Sequence, residues 1–294
     1  MTKLNKTIGI VAKPQSEKAR ELANEVLTWA RQKNYKVVIE AEIADQLKLE
    51  DRPQVVSREE IVTIADPIVV LGGDGTLISV MRHPSKETPT VVGVNVGTLG
   101  FLTEITTAEM LPVLESVING NARIRERTLL EVEVISAGKS EKTYAINDIV
   151  IGKEALARIF DVELYVDGEY ATTFRGDGVI VATPIGSTAY SLAAHGSIVH
   201  PQVQGTLITP LCPHSLTHRP LVLPQQLPLV LKVPGEGADD KVYLTVDGQE
   251  GFDLPSGSEI RVQPSKFHVK VTKSPTKSYF EVLSTKLHWG TRPK

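Results

Sequence analysis

The chain has 294 residues, of which 41% are hydrophobic and 23% charged, an ordinary composition for a globular protein long enough for two domains. Its formal net charge of −3 and pI of about 6.2 argue against a nucleic-acid partner and against binding to a membrane surface. One cysteine, no signal-peptide pattern and no apolar run near ~18 residues predict a cytoplasmic protein without an intrachain disulfide or a membrane span.

The first 125 residues alternate between strand and helix patterns. Apolar runs predict four strands, at residues 8–12, 35–41, 68–71 and 90–95. Apolar residues at helical spacing predict a helix over residues 19–30, capped by Ser16, and another over 110–118, ended by Gly120. Strands that alternate with helices predict an α/β domain over residues 1–125, with a mainly parallel sheet covered on both faces. Ligands of such sheets bind beyond the carboxyl ends of the strands.

One predicted strand end carries a glycine-rich turn, Leu71-Gly72-Gly73-Asp74-Gly75-Thr76. Apolar residues on both sides predict a buried strand, a tight turn and the first turn of a helix. The glycines permit positive φ values and a close approach of the backbone to a ligand, and N–H groups at a helix start attract phosphate. Asp74 in the middle of this turn suits a second task, either holding a divalent cation or taking a proton from an attacking hydroxyl.

Three other interpretations of this turn compete with that one. The turn lacks the Gly-x-x-x-x-Gly-Lys-Ser/Thr pattern, so a Walker phosphate loop is excluded. It also lacks Gly-x-Gly-x-x-Gly, because Ile78 stands at the last position, so the standard dinucleotide fingerprint is excluded. The alternative left open is a structural strand-to-helix turn in which Asp74 hydrogen-bonds its own backbone.

After residue 125 the hydrophobic period changes to two, which predicts an all-β domain over residues 126–272. Asp167-Gly168 and Asp247-Gly248 each follow an apolar strand and predict hairpin turns. Six prolines between residues 210 and 234 leave little room for long helices. In the tail, a helical pattern over residues 279–289 predicts one apolar face carrying Phe280, Leu283 and Leu287.

The second half also carries polar stretches at predicted strand ends. Residues 183–191, Thr-Pro-Ile-Gly-Ser-Thr-Ala-Tyr-Ser, follow an apolar strand and offer several donors to a sugar or phosphate, while Tyr190 suits either base stacking or packing. Asn147 and Asp148 lie side by side in an apolar strand, where they need protein partners or a strand end from which both reach a ligand. Carboxylates in such places bind ribose diols.

Other candidate sites are weaker. The histidines between residues 195 and 218, with Cys212, match no common zinc spacing. Ser187 is not part of a Gly-x-Ser-x-Gly motif, so a hydrolase is not predicted. The charge-rich residues 40–60 predict a solvated loop or lid.

Taken together, these stretches resemble the NAD kinase family, whose members phosphorylate NAD to NADP. The resemblance runs from about residue 8 to the tail and rests on six blocks in the family's order, at residues 72–76, 94–102, 147–148, 183–191, 212–216 and 247–249. The glycine block alone is unspecific, since diacylglycerol and sphingosine kinases and phosphofructokinases carry close variants. The family's fold implies a Rossmann-like or phosphofructokinase-like domain over residues 1–125 with residues 273–294 packed back on it, and an all-β NAD-binding and oligomerisation domain over 126–272.

The resemblance also implies roles for individual residues. Asp74 is expected to act as the general base that takes the proton from the 2′-hydroxyl of the adenosine ribose of NAD. Gly73 and Gly75, with Thr76 beside them, are expected to let the backbone approach the transferred phosphoryl group. Asn147 and Asp148 are expected to bind a nucleotide ribose. The remaining implied binding residues are Arg158, Arg175 and Asp177 at the dinucleotide or a neighbouring subunit, Thr188, Ala189, Tyr190, Ser191, Leu192 and Ala193 on the nicotinamide and ribose side, and Gln249 near the adenosine.

Family members use a divalent cation, Mg²⁺ or Mn²⁺, together with ATP, and assemble as homodimers or homotetramers through the β domain. The expected partners are therefore NAD, ATP and further copies of this chain. No protein cage for a metal is visible in the sequence, which suits a cation carried by the ATP phosphates.

Four positions depart from the family pattern or bear on its specificity. Ile185 replaces a usual threonine, His195 a small glycine and Asp148 a frequent glutamate. Arg175 stands where family members restricted to NAD carry a charged or polar side chain and dual NAD/NADH kinases a glycine, so we expect NAD to be preferred over NADH. A lipid or sugar kinase and a nucleotide sensor without turnover stay open as alternatives, and the sequence leaves the phosphoryl donor open among ATP, other triphosphates and polyphosphate.

Overall fold

The computed structural model describes residues 6–47, 53–153, 159–234 and 242–290. The strands are β1 (Thr7–Ala12), β2 (Lys36–Glu40), β3 (Gln54–Val56), β4 (Ile68–Gly72), β5 (Thr90–Asn95), β6 (Ile124–Ser136), β7 (Lys139–Ala145), β8 (Asp148–Lys153), β9 (Phe160–Val166), β10 (Glu169–Gly176), β11 (Gly178–Ala182), β12 (Gly205–Leu211), β13 (Leu221–Pro224), β14 (Leu229–Lys232), β15 (Val242–Val246), β16 (Glu250–Leu254) and β17 (Glu259–Thr272). The α-helices are α1 (Glu17–Gln32), α2 (Ala41–Ala44), α3 (Arg58–Ile64), α4 (Asp74–Met81), α5 (Met110–Ile118), α6 (Tyr190–Ala193) and α7 (Tyr279–Leu287). The chain divides into two compact units, one of residues Met1–Arg127 with Phe267–Lys294 and one of Thr128–Lys266.

The first unit is built on a parallel sheet with the strand order β5-β4-β1-β2-β3. β4 is central and buried along its whole length, so the turn that follows it lies at the carboxyl end of a central strand. The end of β17 pairs in parallel with β5 through Lys270 and Val271. The helices α1 and α5 bury their apolar stripes in one core with β1, β4 and β5, and Ser16 caps α1 by accepting a hydrogen bond from the N–H of Ala19.

The second unit contains an antiparallel six-stranded sheet with the order β13-β12-β11-β8-β15-β16. The strands β10, β9 and β14 continue to the first residues of β17, and β6 pairs with β7. Valine, isoleucine and leucine side chains from both groups of strands share one core. Asp167 and Asp247, the first residues of the two predicted hairpin turns, have φ values of 51° each and are both followed by a glycine with positive φ.

The predicted fold class is confirmed: an α/β first part with a mainly parallel sheet is followed by a β-rich second part. Two local predictions are wrong. In α7 the buried residues are Tyr279, Val282 and Leu283, whereas Phe280 is 65% exposed, because packing selects the stripe that contains Val282 over the one that contains Phe280.

The charge-rich stretch 40–60 is the second correction. Glu40 is buried and pairs with Arg58 at the start of α3, and α2 and β3 also fall within this stretch. It is therefore structured in its described residues, because the buried carboxylate recruits a guanidinium partner. No helix in the described residues is long and apolar enough to cross a membrane.

Candidate active site

The glycine-rich turn joins β4 to α4 with a single residue, Gly73, between them. Asp74 is the first residue of the helix and not the middle of a longer turn, so the helix starts earlier than predicted. Gly73 has a φ of −108°, and none of the three glycines at 72, 73 and 75 is among the positive-φ residues, so this turn does not use the positive φ values that glycine permits. A methyl group on Gly73 would meet no atom within 4 Å, which leaves room beside the helix N-terminus.

The Asp74 carboxylate is held by a loop that follows β5. Its Oδ2 accepts a hydrogen bond from the N–H of Phe101 (2.8 Å). Its Oδ1 accepts three, from the N–H groups of Leu102 (3.1 Å) and Thr103 (2.9 Å) and from the Thr103 hydroxyl (3.0 Å). These donors lie 27 to 29 residues further along the chain. The structural alternative instead required Asp74 to hydrogen-bond the backbone of its own turn.

Gly100 is what lets this loop approach Asp74 so closely. A Cβ atom at Gly100 would overlap the Asp74 carboxylate and the Thr103 hydroxyl. Asn95, the last residue of β5, braces the loop from the other side, because its side-chain N–H₂ donates to the Thr103 hydroxyl (3.2 Å) and its Oδ1 accepts from the N–H of Gly97 (2.9 Å). The carboxylate therefore has one fixed position, with Oδ2 carrying fewer hydrogen bonds than Oδ1.

In the second unit, Ile146 and Asn147 form the short link between β7 and β8, and Asp148 is the first residue of β8. The sequence left two possibilities for the Asn147–Asp148 pair, and the structure places it at a strand end. The Asp148 carboxyl is buried, and the Asn147 side chain is half-buried with no hydrogen bond to any described residue.

The side chain of Asp247, in the turn after β15, accepts hydrogen bonds from the backbone of this link. One carboxylate oxygen accepts from the N–H of Ile146 (2.9 Å), and the other accepts from those of Asn147 (2.7 Å) and Asp148 (3.1 Å). The N–H of Asp247 in turn donates to the carbonyl of Asp148 (2.9 Å).

Thr183, directly after β11, completes the hold on the link. Its N–H donates to the carbonyl of Asn147 (2.8 Å) and its hydroxyl to that of Ile146 (2.6 Å). A Cβ atom at Gly186 would overlap the Asn147 backbone, so the 183–186 turn packs directly on the link.

Asp148 is the one candidate carboxyl with a large pKa shift. Burial first and the negative charge of Asp247 second raise its pKa from the ordinary 3.8 to about 7, against the opposing effect of the hydrogen bond donated by the Tyr190 N–H. Its protonation therefore changes near neutral pH.

The 183–193 run forms a tight turn followed by α6, but several of its hydroxyls are used internally. The Ser187 hydroxyl is buried and donates to the Pro184 carbonyl (2.6 Å), and the Ser191 hydroxyl is buried against that of Thr209 (2.9 Å). Fewer hydroxyls of this run than predicted are therefore available to a ligand, because these two hydrogen-bond within the protein. The half-buried or exposed candidates of the run are Thr188, Ala189, Tyr190, Leu192 and Ala193.

A cavity of about 540 Å³ lies within the second unit, on the outer face of β8 and β15. The residues that line it are Val150, Gly152, Lys153, Asp177, Tyr190, Leu211, Cys212, Tyr243 and Thr245. Lys153 and Asp177 form an ion pair of 3.1 Å, and Lys153 holds the pKa of the Asp177 carboxyl below its usual range. Hydrogen bonding to Asp177 raises the pKa of the Cys212 thiol, so this thiol is not activated.

The candidate site residues are divided between the two units. Gly73, Asp74, Gly75 and Thr76 lie in the first unit and all other described candidates in the second. Arg175 is exposed on β10 and lies 3.5 Å from the Asp161 carboxylate, and Gln249 is exposed in the turn after β15. Arg158 lies outside the described residues.

The sequence did not predict two sets of contacts that the structure shows: the hydrogen bonds from residues 101–103 to Asp74, and those from Thr183 and Asp247 to the 146–148 link. The signal for the loop was its unusual run Gly97-Thr98-Leu99-Gly100 after a buried strand. The signal for Asp247 was an Asp-Gly turn, which by itself predicts only a hairpin.

Residues 8–122 match the family model of the ATP-NAD kinase N-terminal domain, and residues 146–274 match that of the ATP-NAD kinase C-terminal domain. The NAD kinase of Geotalea daltonii is 43% identical over 288 residues, which cover 98% of this chain and 100% of that protein. The NAD kinase of Solibacter usitatus is 39% identical over 289 residues, covering 98% and 99%.

Two solved structures are similar to this one. Yeast NADH kinase complexed with NADH superposes with a TM-score of 0.89 at 29% identity, covering 98% of this chain and 89% of that one. An NAD kinase from Archaeoglobus fulgidus in complex with ATP gives a TM-score of 0.74 at 23% identity, covering 96% and 98%, and supports the fold.

Proposed function

The chain belongs to the NAD kinase family, and from this premise we propose that it transfers the γ-phosphoryl group of ATP to the 2′-hydroxyl of the adenosine ribose of NAD, with Asp74 as the general base. The family accounts for the reaction. The proposal for Asp74 is carried by one observation, the fixing of its carboxylate by four donors from residues 101–103 at the start of α4.

In the proposed reaction the ribose 2′-hydroxyl gives its proton to Asp74 Oδ2 as its oxygen forms a bond to the γ-phosphorus. The bond between the γ-phosphorus and the β–γ bridging oxygen breaks, and ADP leaves with that oxygen. Oδ2 is the better candidate for the proton because it accepts one hydrogen bond from the described residues, against three at Oδ1. A positioned base of this kind contributes about 10²–10⁴-fold to a rate.

The N-terminus of α4 supports phosphate binding beside this base. Its first N–H groups have no partner within the helix, and the helix dipole favours negative charge there. The open space around Gly73 and the exposure of Gly75 allow a phosphoryl group to come close to the backbone. Most of the remaining catalysis of phosphoryl transfer is positioning and neutralisation of charge.

We propose that a divalent cation, Mg²⁺ or Mn²⁺, enters with ATP. In the described ranges no group of three or more histidine, cysteine, aspartate or glutamate side chains is arranged to hold a metal. A cation that enters with ATP would be held mainly by phosphate oxygens. Such a cation neutralises charge on the transferred group when it is bound.

The second unit is proposed to bind the dinucleotide. The Asn147 amide, which makes no hydrogen bond to a described residue, and the Asp148 carboxyl at the start of β8 suit ribose hydroxyls, and Gln249 lies exposed in the neighbouring turn. The cavity beside Tyr190 and Asp177 suits the nicotinamide side, because it combines an aromatic ring with an ion pair.

Three further proposals follow from family membership. The chain assembles as a homodimer or homotetramer through its β-rich part, it works in the cytoplasm, and it prefers NAD to NADH. The last of these rests on the family pattern at position 175, where this chain carries Arg175, an exposed side chain that pairs with Asp161.

The experiment that tests the function is a coupled assay of NADP formation from NAD, ATP and Mg²⁺, with NADH in parallel. We expect NADP from NAD and much slower phosphorylation of NADH. Comparable turnover of NADH would leave the kinase in place and contradict the role of Arg175. No product from either nucleotide, across ATP, other triphosphates and polyphosphate, would contradict the proposed function.

A further inference from the structure

We propose that Asp247 is a positioning residue that holds Asn147 and Asp148 in place for the dinucleotide and that its charge makes this binding dependent on pH. The inference rests on the proposed function, because it concerns the site proposed for the ribose of NAD. No part of it concerns the base Asp74.

Asp247 fixes the backbone of the link between β7 and β8. Its carboxylate accepts the N–H groups of three consecutive residues, Ile146, Asn147 and Asp148, at 2.7–3.1 Å. Hydrogen bonds to an ionised acceptor are about twice as strong as neutral ones, so three of them fix the backbone on which the two ligand-binding side chains stand. The Asn147 amide then remains available to a ligand, since it makes no hydrogen bond to a described residue.

This arrangement is not a general property of an Asp-Gly turn. Asp167 begins the other hairpin turn with the same φ of 51° and is also followed by a glycine. Asp167 is exposed, and its side chain makes no hydrogen bond to any residue in the described part of the chain. The turn geometry therefore does not need the carboxylate, which in Asp247 serves the 146–148 link.

The pH dependence follows from the position of Asp148 beside Asp247. The groups that face the Asp148 carboxyl are the Asp247 carboxylate from the turn after β15 and the N–H of Tyr190 from α6. On β11 its pairing partner is Ala182, which carries no charge. Burial first and the Asp247 charge second raise the pKa of Asp148 to about 7. A carboxylate that accepts two ribose hydroxyls has to be ionised, so binding of NAD weakens as the pH falls below this value.

The test uses full-length Asp247→Asn, with Asp167→Asn as the matched control. The Michaelis constant for NAD and kcat are measured from pH 5.5 to 9, and NAD binding is measured in parallel by calorimetry. For Asp247→Asn we expect KM for NAD to rise about 10-fold at pH 8, since at least one backbone N–H loses its acceptor. We expect kcat to change by less than about threefold, because the base is untouched.

The pH profile separates positioning from a merely structural role. We expect KM for NAD of the wild type to rise as the pH falls below about 7, where Asp148 becomes protonated. Without the Asp247 charge, the midpoint of this rise moves to lower pH by about one unit. Asp167→Asn keeps both the wild-type KM and the wild-type midpoint.

Asp247→Glu is the second variant, and it keeps the proposal testable if Asp247→Asn does not fold. Its charge is retained but its carboxylate is displaced, so KM for NAD rises while the midpoint stays near that of the wild type. A midpoint in Asp247→Asn equal to that of Asp167→Asn would overturn the proposal, as would a rise in KM no larger than in that control.

Failure of the proposed function gives a different result. A wild type that makes no NADP but binds NAD, with a midpoint that moves in Asp247→Asn, contradicts the kinase and supports the inference. A wild type that makes NADP while Asp247→Asn behaves as the control contradicts the inference alone. A wild type that does not bind NAD contradicts both.

Discussion

Each unit of the molecule contains a carboxylate that collects three consecutive backbone N–H groups. Asp74 accepts those of residues 101–103, and Asp247 accepts those of residues 146–148. The two arrangements are chemically alike, but we propose opposite uses for them. At Asp74 the backbone fixes the carboxylate proposed to react, whereas at Asp247 the carboxylate fixes a backbone whose side chains are proposed to bind the ligand.

The neighbours of the two carboxylates differ as well. Asp74 receives a fourth hydrogen bond, from the neutral hydroxyl of Thr103. Asp247 lies beside a second carboxyl, Asp148, and raises its pKa. The same pattern of hydrogen bonds thus holds the proposed base in one unit and the backbone of the proposed ribose site in the other, and variants of each should separate the two proposed roles.

The largest effect is expected for Asp74→Asn. The amide cannot take the proton of the 2′-hydroxyl, so kcat should fall by about 10²–10⁴-fold while the calorimetric affinity for NAD changes little. Initial rates with saturating NAD and ATP measure this, with Asp167→Asn as the control. A kcat within a few-fold of the wild type would rule out Asp74 as the base.

A smaller loss is expected for Gly100→Ala. The added methyl group would overlap the Asp74 carboxylate and the Thr103 hydroxyl, so the loop must move and the base loses its fixed position. We expect kcat to fall by about 100-fold. Gly97→Ala is the matched control, because a Cβ atom there meets no atom within 4 Å. Equal rates for both variants would show that the position of the loop does not matter to the base.

Asp148→Asn tests the second unit through its stability. The folded-state pKa of about 7 lies above the ordinary 3.8, so this carboxyl costs the wild type nothing below about pH 4 and progressively more stability as the pH rises to about 7. The amide does not titrate. Relative to the wild type, Asp148→Asn should therefore gain stability between these pH values, on the order of a few kcal/mol.

Thermal unfolding at pH 4.5 and pH 8 measures this gain. The melting temperature of Asp148→Asn should exceed that of the wild type by more at pH 8 than at pH 4.5. The exposed control Asp167→Asn should show no such change with pH. A difference between Asp148→Asn and the wild type that is the same at both pH values would argue against a raised pKa.

The smallest effect is expected for Thr103→Val. It removes one of three hydrogen bonds to Asp74 Oδ1 and keeps the backbone N–H bonds and the shape of the side chain. We expect kcat to fall by about three- to tenfold, and Thr103→Ser to restore most of it. If Thr103→Ser is as slow as Thr103→Val, the hydrogen bond from the hydroxyl to Asp74 does not contribute to kcat.

Much of this architecture is predictable from local patterns. The change of hydrophobic period near residue 125 separates the α/β part from the β-rich part, and the caps of α1 and α5 follow from Ser16 and Gly120. The buried face of α7 was predicted wrongly because Leu283 can share an apolar stripe with either Phe280 or Val282. Only packing decides between the two stripes.

The candidate site was only partly predictable. Asp74, Asn147 and Asp148 stand out because a polar residue in an apolar context needs a reason. The partners of Asp74 lie 27 to 29 residues away and those of Asp247 about 100 residues away, and they are backbone N–H groups, which every residue carries. No pattern of side chains in the sequence reveals such contacts. The structural roles of Gly100 and Asp247 therefore become visible only in the folded chain.

The most direct test of the different uses of the two carboxylates is a side-by-side measurement of kcat and NAD affinity in Asp74→Asn and Asp247→Asn. The account predicts that Asp74→Asn loses kcat and keeps its affinity for NAD, whereas Asp247→Asn loses affinity and keeps kcat within about threefold. Loss of the same quantity in both variants would contradict it.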